Sequence, residues 1–189
     1  CRRQRQMGIR ERINRFKMKR EKKIELYIGI HCKRDSDGIK MHQRPLIDEI
    51  AELAQIKPEQ CKKASTPVHY LHEPFDSTHI VSDPSLREDL DAFPYRSILG
   101  KCAYVGYCTR ADILWIIAEL QRFQTNYGQS HIRALLYLVK YLVRTRERVL
   151  HYRSGYSCPE KLINFMDASF ASCSITRRSH GGWVMFFLG

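Results

Sequence analysis

The pattern of apolar and polar positions changes period several times along the chain, and each change marks an element. Over residues 9–20, Ile9, Ile13, Phe16 and Arg20 recur at helical spacing, which predicts a short, very basic amphipathic helix. It has no second continuous apolar stripe, so it must lean on something else. From residue 24 the period drops to two. Ile24, Leu26, Ile28 and Ile30 alternate with Glu25, Tyr27, Gly29 and His31, as in a half-buried strand. Asp35-Ser36-Asp37-Gly38 is a turn signal and Ile39 to His42 returns, so a β-hairpin is expected. Residues 44–54 place Leu46, Ile47, Ile50, Leu53 and Ala54 on one helical face. Pro45 fits the first turn, where its missing N–H is harmless. Five of the seven prolines fall in residues 57–94, which read as a long, mostly extended connector and not as a packed element.

Helical spacing returns at residues 97–107. Thr109-Arg110-Ala111-Asp112 then has the form of a capping box, with Thr109 accepting from backbone N–H and Asp112 reaching back. The helix it would open buries Ile113, Ile116, Ile117, Leu120 and Phe123, and Asn126-Tyr127-Gly128 breaks it. A third helix is expected from about Ser130 to Arg144, with Ala134, Leu135, Leu138, Tyr141 and Leu142 inward. Three helices on short loops imply a compact helical subdomain. Beyond it, strands are expected at Val149–Tyr152, at Lys161–Asp167 (which delivers an aspartate at its end) and at Trp183–Leu188. The last is fully apolar and would leave an unpaired, sticky sheet edge. That edge, with Cys1 in place of an initiating methionine, leads to the expectation of a piece cut from a longer product.

Composition narrows the class. With 189 residues and 43% apolar content, one ordinary globular domain or two small ones are expected. No apolar run is long enough to span a membrane, and the first residues lack the apolar core of a secretion signal. An intracellular location, cytoplasmic or nuclear, is therefore expected. None of the seven cysteines forms a C-x-x-C pair, so zinc ribbons and thioredoxin-type sites find no support; scattered thiols in a reducing compartment are the expectation. The net charge of +12 is unevenly spread. Residues 1–34 hold thirteen Lys/Arg against three Asp/Glu, residues 35–99 seven against twelve, and residues 100–189 twelve against five. A surplus this dense points to a polyanion, nucleic acid before an anionic membrane, although a solvated basic tail has the same composition.

The order of short motifs carries more than any one of them. Tyr95-Arg96-Ser97-Ile98-Leu99-Gly100, Tyr104 and Thr109-Arg110-Ala111-Asp112-Ile113 resemble the YR-x-x-x-G…TRPDI signature of copia-type LTR retrotransposon Pol polyproteins. His131 with Ala134, Lys140-Tyr141-Leu142 and Thr145 is similar to the next segment of that family. Asp167-Ala168-Ser169-Phe170-Ala171 and Arg177-Arg178-Ser179 resemble its DADWA…RRSTSGY block. Upstream, Phe16-Lys17-Met18-Lys19, Ile28-Gly29-Ile30, Gln43 and Thr66-Pro67 fall in the family order. The sequence departs from the pattern at Ala111, where the family has proline, and at Ser169 and Phe170.

The resemblance implies an α+β fragment in four parts. These are the end of a reverse transcriptase palm with a primer-grip-like hairpin (1–56), a proline-rich connector (57–94), a helical thumb or connection subdomain (95–147), and the start of a ribonuclease H-like domain (148–189). The family's Tyr-x-Asp-Asp motif is absent, since no Asp-Asp pair occurs in the chain. The implied partners are an RNA/DNA template–primer and the rest of the Pol polyprotein, with no membrane. The implied cofactor is Mg²⁺ in the full-length enzyme, with none expected to bind tightly to this segment.

Two-metal phosphoryl transfer needs several convergent carboxylates. Asp167 matches the family's first ribonuclease H carboxylate, and it would bind metal only if the missing acids were supplied. Phosphate contacts are expected from Arg10, Arg12, Arg15, Lys17, Lys19, Arg20, Lys22, Lys23 and Arg110. Gly29, without a Cβ, would let a sugar–phosphate backbone approach the hairpin. Phe16 and Tyr27 are expected in the core, and His131 as a packed or capping residue. The competing expectation is a non-enzymatic basic nucleic-acid-binding module, a domesticated relic.

Overall fold

A computed structural model describes residues 15–16, 24–69, 75, 77–81, 83, 85, 90–155, 162–171, 173 and 175–187. The apolar stripes of four helices meet in one core. Helix α1 (Arg44–Leu53) contributes Ile47 and Ile50, and α2 (Tyr95–Cys108) contributes Ile98, Leu99, Cys102 and Val105. Helix α3 (Leu114–Gln121) adds Ile116, Ile117 and Leu120, and α4 (Gln129–Arg144) adds Leu135, Leu138 and Leu142. Each such side chain stabilises the fold by about 1.5–3 kcal/mol through removal from water. Tyr95 stacks on Tyr127 at 4.1 Å and donates its hydroxyl to the Leu120 carbonyl at 3.2 Å, joining α2 to the end of α3.

Two antiparallel sheets flank the core. The first has the order β1-β2-β3-β4: Leu26–Tyr27, Ile30–Asp35, Gly38–His42 and Leu150–Arg153. The second is a ribbon of β5 (Leu162–Ser169) and β6 (His180–Phe187). Gly38 is required where it stands. Its φ is +137°, and a Cβ there would lie 2.0 Å from the Tyr152 carbonyl oxygen of β4.

Several expectations change on contact with this fold. The alternation from 24 to 30 does not make one strand. Ile28 and Gly29 both take positive φ, 49° and 72°, and Tyr27 pairs with Ile30 across a two-residue turn. Alternation reports which side a residue faces, and a tight turn can reverse the chain without disturbing it. Tyr27 (60% exposed) and Phe16 (64% exposed) lie on the surface and not in the core. The capping box does not form. Thr109 closes α2 instead and donates to Gln43 Oε1 at 2.9 Å, while Asp112 turns to Arg110. The strand expected at Val149–Tyr152 forms one residue later and pairs with β3, so among the described residues the sheet of the last segment consists of β5 and β6. The connector is better packed than its prolines suggest: Cys61, Ala64 and Phe75 are buried in the core.

Candidate nucleic-acid interface

The hairpin β1–β2 stands over the junction of α1 and α2. Its reversal places Ile28, a β-branched residue, at positive φ, a conformation that needs outside support. The support comes from α2, where the Tyr104 hydroxyl donates to the Ile28 carbonyl in a short hydrogen bond. Between hairpin and helices lies a cleft of about 510 Å³. It is lined by Leu26, Gly29 and His31 from the hairpin, Pro45, Leu46 and Glu49 from α1, and Gly100, Lys101 and Tyr104 from α2. Lys101 Nζ contacts Glu49 Oε1 at 2.7 Å across it. A Cβ at Gly100 would meet nothing within 4 Å, so the α2 wall is open there.

Next to the cleft, His31 and His42 face each other across β2 and β3, their rings stacked at 5.2 Å. Burial, with the nearby Arg44 charge and the His31 ring, holds the His42 imidazole below its ordinary value.

Arg10, Arg12, Lys17, Lys19, Arg20, Lys22 and Lys23 lie outside the described residues. Arg15 is exposed, with its guanidinium 5.6 Å from the Phe16 ring centroid. Gly29 sits at the lip of the cleft, and it serves the turn: a Cβ there would be at ordinary contact distance, 3.9 Å, from Tyr104. Arg110 is elsewhere and turned inward. It is 3% exposed, its fork meets both Asp112 oxygens at 2.9 and 2.8 Å, and it also donates to the carbonyl and hydroxyl of Thr145. Burial raises the Asp112 carboxyl, but hydrogen bonds from Arg110 and from Tyr141 (2.6 Å) bring it below the ordinary carboxylate value. Arg110 thus ties the end of α2 to the end of α4. His131 is fully buried, and its Nδ1 accepts the Gly128 N–H at 3.0 Å, so it caps its own helix as expected.

Asp167 is exposed on β5, opposite Gly182, with Oδ1 accepting the following Ala168 N–H. Among the described residues, no group of three or more His, Cys, Asp or Glu side chains is placed to hold a metal. A single carboxylate does not fit a two-metal centre. Cys32, Cys61, Cys102, Cys108 and Cys173 are free thiols. No helix among the described residues is long and apolar enough to cross a membrane.

The partnership of Tyr104 with Ile28 had no local signature. It joins positions 76 residues apart. The available hint was a tyrosine four positions after Gly100, on a helix side where an aromatic with a polar tip can reach outward.

The chain is similar to several transposon proteins. It is 27% identical over 92% of its length to a Ty5-1 transposon protein of Saccharomyces cerevisiae. It is 25% identical over 91% of its length to the retrovirus-related Pol polyprotein from transposon RE1 of Arabidopsis thaliana. To the corresponding polyprotein from transposon TNT 1-94 of Nicotiana tabacum it is 28% identical over 82%. The chain spans 53% of the yeast protein and 11% of each of these plant polyproteins. No protein-family profile matches it. No solved structure matches it either.

Proposed function

The chain is related to copia-type retrotransposon Pol polyproteins, and from that premise we propose that it is the template–primer-holding part of a reverse transcriptase, running into a ribonuclease H segment at β5. The observation that carries this reading is the cleft between hairpin and α2. Gly100, where a Cβ would meet nothing within 4 Å, leaves the α2 wall low for a sugar–phosphate backbone. Lys101 brings to it an ammonium that Glu49 partners in the free chain, and Tyr104 fixes the hairpin that would meet the primer strand. The basic run from Arg10 to Lys23 precedes this hairpin directly and supplies sequence-independent attraction to phosphates. The share of this segment in the reaction is binding and positioning. Its single matched carboxylate, Asp167, gives no basis for a chemical step, and Mg²⁺ with further acids belongs to the full-length enzyme.

The test is fluorescence anisotropy with a labelled, recessed RNA–DNA template–primer at several salt concentrations. Neutralising about six phosphates gives a log–log slope near −5. Tyr104→Phe is expected to weaken preference for recessed over blunt duplex while leaving that slope unchanged, because it frees the hairpin without removing a charge. An affinity independent of salt, or equal binding of recessed and blunt ends by the parent chain, would overturn the proposal. Primer extension by the purified chain would overturn the restriction to binding.

A further inference from the structure

Helix α4 carries a stripe of cations on one side. Arg133, Tyr137, Lys140 and Arg144 fall within about 60° of one another around the helix axis. The connector runs alongside in the opposite direction. Arg144 donates to the Lys62 carbonyl at 2.7 Å, Lys140 lies close enough to Cys61 to act on its thiol, and the His69 ring meets Tyr137 edge-on at 5.0 Å. Lys62 and Lys63, both exposed, extend the stripe. Among the described residues, Arg133, Lys140, Lys62, Lys63 and Arg144 form no ion pair, and Glu59 of the neighbouring short helix pairs with none of them. By contrast Lys101, Arg110, Arg122, Arg146 and Arg148 each meet a carboxylate. A cavity of about 410 Å³ opens at the N-terminal end of this stripe, between α4 and the connector. Its walls include the rings of His69, Phe75, His79 and Tyr137, buried Ile116 forms its floor, and exposed Arg133 borders it.

We propose that this α4–connector face binds single-stranded nucleic acid, with phosphates along Arg133, Lys140, Arg144, Lys62 and Lys63 and one unstacked base in the His69–Tyr137 cavity. The surface is separate from the cleft under the hairpin, and it shares with the function proposed above only the class of partner. Unpaired cations beside exposed aromatic rings are what a single strand needs: charge for its backbone and π-faces for its bases. A duplex would meet the cations but keeps its bases stacked and paired, which leaves the cavity unused. A membrane surface needs exposed apolar side chains beside the cations, and none of the large exposed ones described lies on α4 or in residues 57–69. An acidic polypeptide, whether another protein or a further part of a longer product, would meet the charges, but its carboxylates have no use for a cavity walled by four rings.

Anisotropy of a short labelled oligouridylate with the full chain, and photocrosslinking of its iodouridine form, test this. Tyr137→Leu is expected to weaken binding about tenfold through loss of stacking. Arg133→Gln combined with Lys140→Gln lowers the log–log salt slope by about 1.4, since each neutralised phosphate of a single strand contributes about 0.7. Lys33→Gln combined with Arg34→Gln removes the same charge from exposed positions of β2 and leaves the slope in place. Crosslinks map to His69 or Tyr137, and that map is read on the parent chain, so it stands even if a variant fails to fold. Preference for recessed over blunt duplex is measured on a different ligand and should ignore these variants, so the cleft and this face fail separately. Full affinity in Tyr137→Leu, equal slopes in the two double variants, crosslinks confined to other residues, or competition by polyglutamate as strong as by unlabelled oligouridylate would each overturn the proposal.

Discussion

Helix α3 and strand β6 each carry a run of large apolar side chains, and the fold treats them in opposite ways. In α3, Ile116, Ile117 and Leu120 are buried between α2 and α4. In β6, Trp183, Val184, Met185 and Phe186 all remain exposed. The body is held by interdigitated aliphatic side chains. The ribbon is held to it by polar contacts, His180 on Glu119 and Arg122 on Cys173. Apolar content therefore does not decide burial here. Burial depends on whether the chain supplies a second layer, and the helices have one because short loops fold three of them back on each other.

The largest effect should separate the two regions outright. Leu138→Ala, at a fully buried site of α4, is expected to cost about 2–5 kcal/mol. Phe170→Ala, at a site 93% exposed beside the ribbon, should stay within about 0.5 kcal/mol. Urea unfolding of both variants measures this, and similar losses would erase the distinction.

Next comes the polar brace of Arg110 and Asp112 inside the body. Asp112→Ala leaves the Arg110 guanidinium buried without its carboxylate, at a cost of about 3 kcal/mol. The folded Asp112 carboxyl has a lowered pKa, so its contribution is complete above the ordinary carboxylate value. It is lost as pH falls through the lowered one. Unfolding measured between neutral and acid pH should show the parent losing more stability than Asp112→Asn below about pH 4. An equal loss in both chains would mean that the brace contributes nothing.

The smallest effect concerns the ribbon's own anchor. Cys173 is buried, and burial alone would raise its thiol. Hydrogen bonds from Thr176, from the Ile175 backbone and from Arg122 outweigh this and bring it down to about 6. The folded value lies below the unfolded one. Thiolate stabilisation of the anchor is therefore full above the ordinary thiol value, and it fades as pH falls towards about 6. Thiolate absorbance of the parent chain minus that of Cys173→Ala should titrate with a midpoint near 6, and Arg122→Gln should move it up. A midpoint at the ordinary thiol value in both would show that no such anchor exists.

Much of the helical body was legible in the sequence. Ile113, Ile116, Ile117, Leu120 and Phe123 were readable as a buried stripe, since helical period and burial are two aspects of one local geometry. The connector's contribution was not, because Cys61 and Phe75 reach the core only through the path of a proline-rich segment. In the candidate cleft, Gly29 was readable as a residue of backbone importance. Its reason was not, since a strand glycine and a turn glycine look alike until the partner of Tyr27 is known. Arg110 was readable as a cation, while its burial against Asp112 and Thr145 depends on where α4 ends.

The sequence by itself determined the periods of its elements, the concentration of positive charge before the hairpin, and the order of short motifs that resembles that of retrotransposon polyproteins. These are properties of neighbouring residues or of composition, and no folding is needed to state them. The tertiary structure decided that Leu150–Arg153 joins the first sheet, that Thr109 binds Gln43 instead of capping a helix, and that Tyr104 holds the Ile28 turn. Each of those is a contact between distant segments. A side chain with several satisfactory hydrogen-bond partners takes the one that packing of the apolar faces brings within reach.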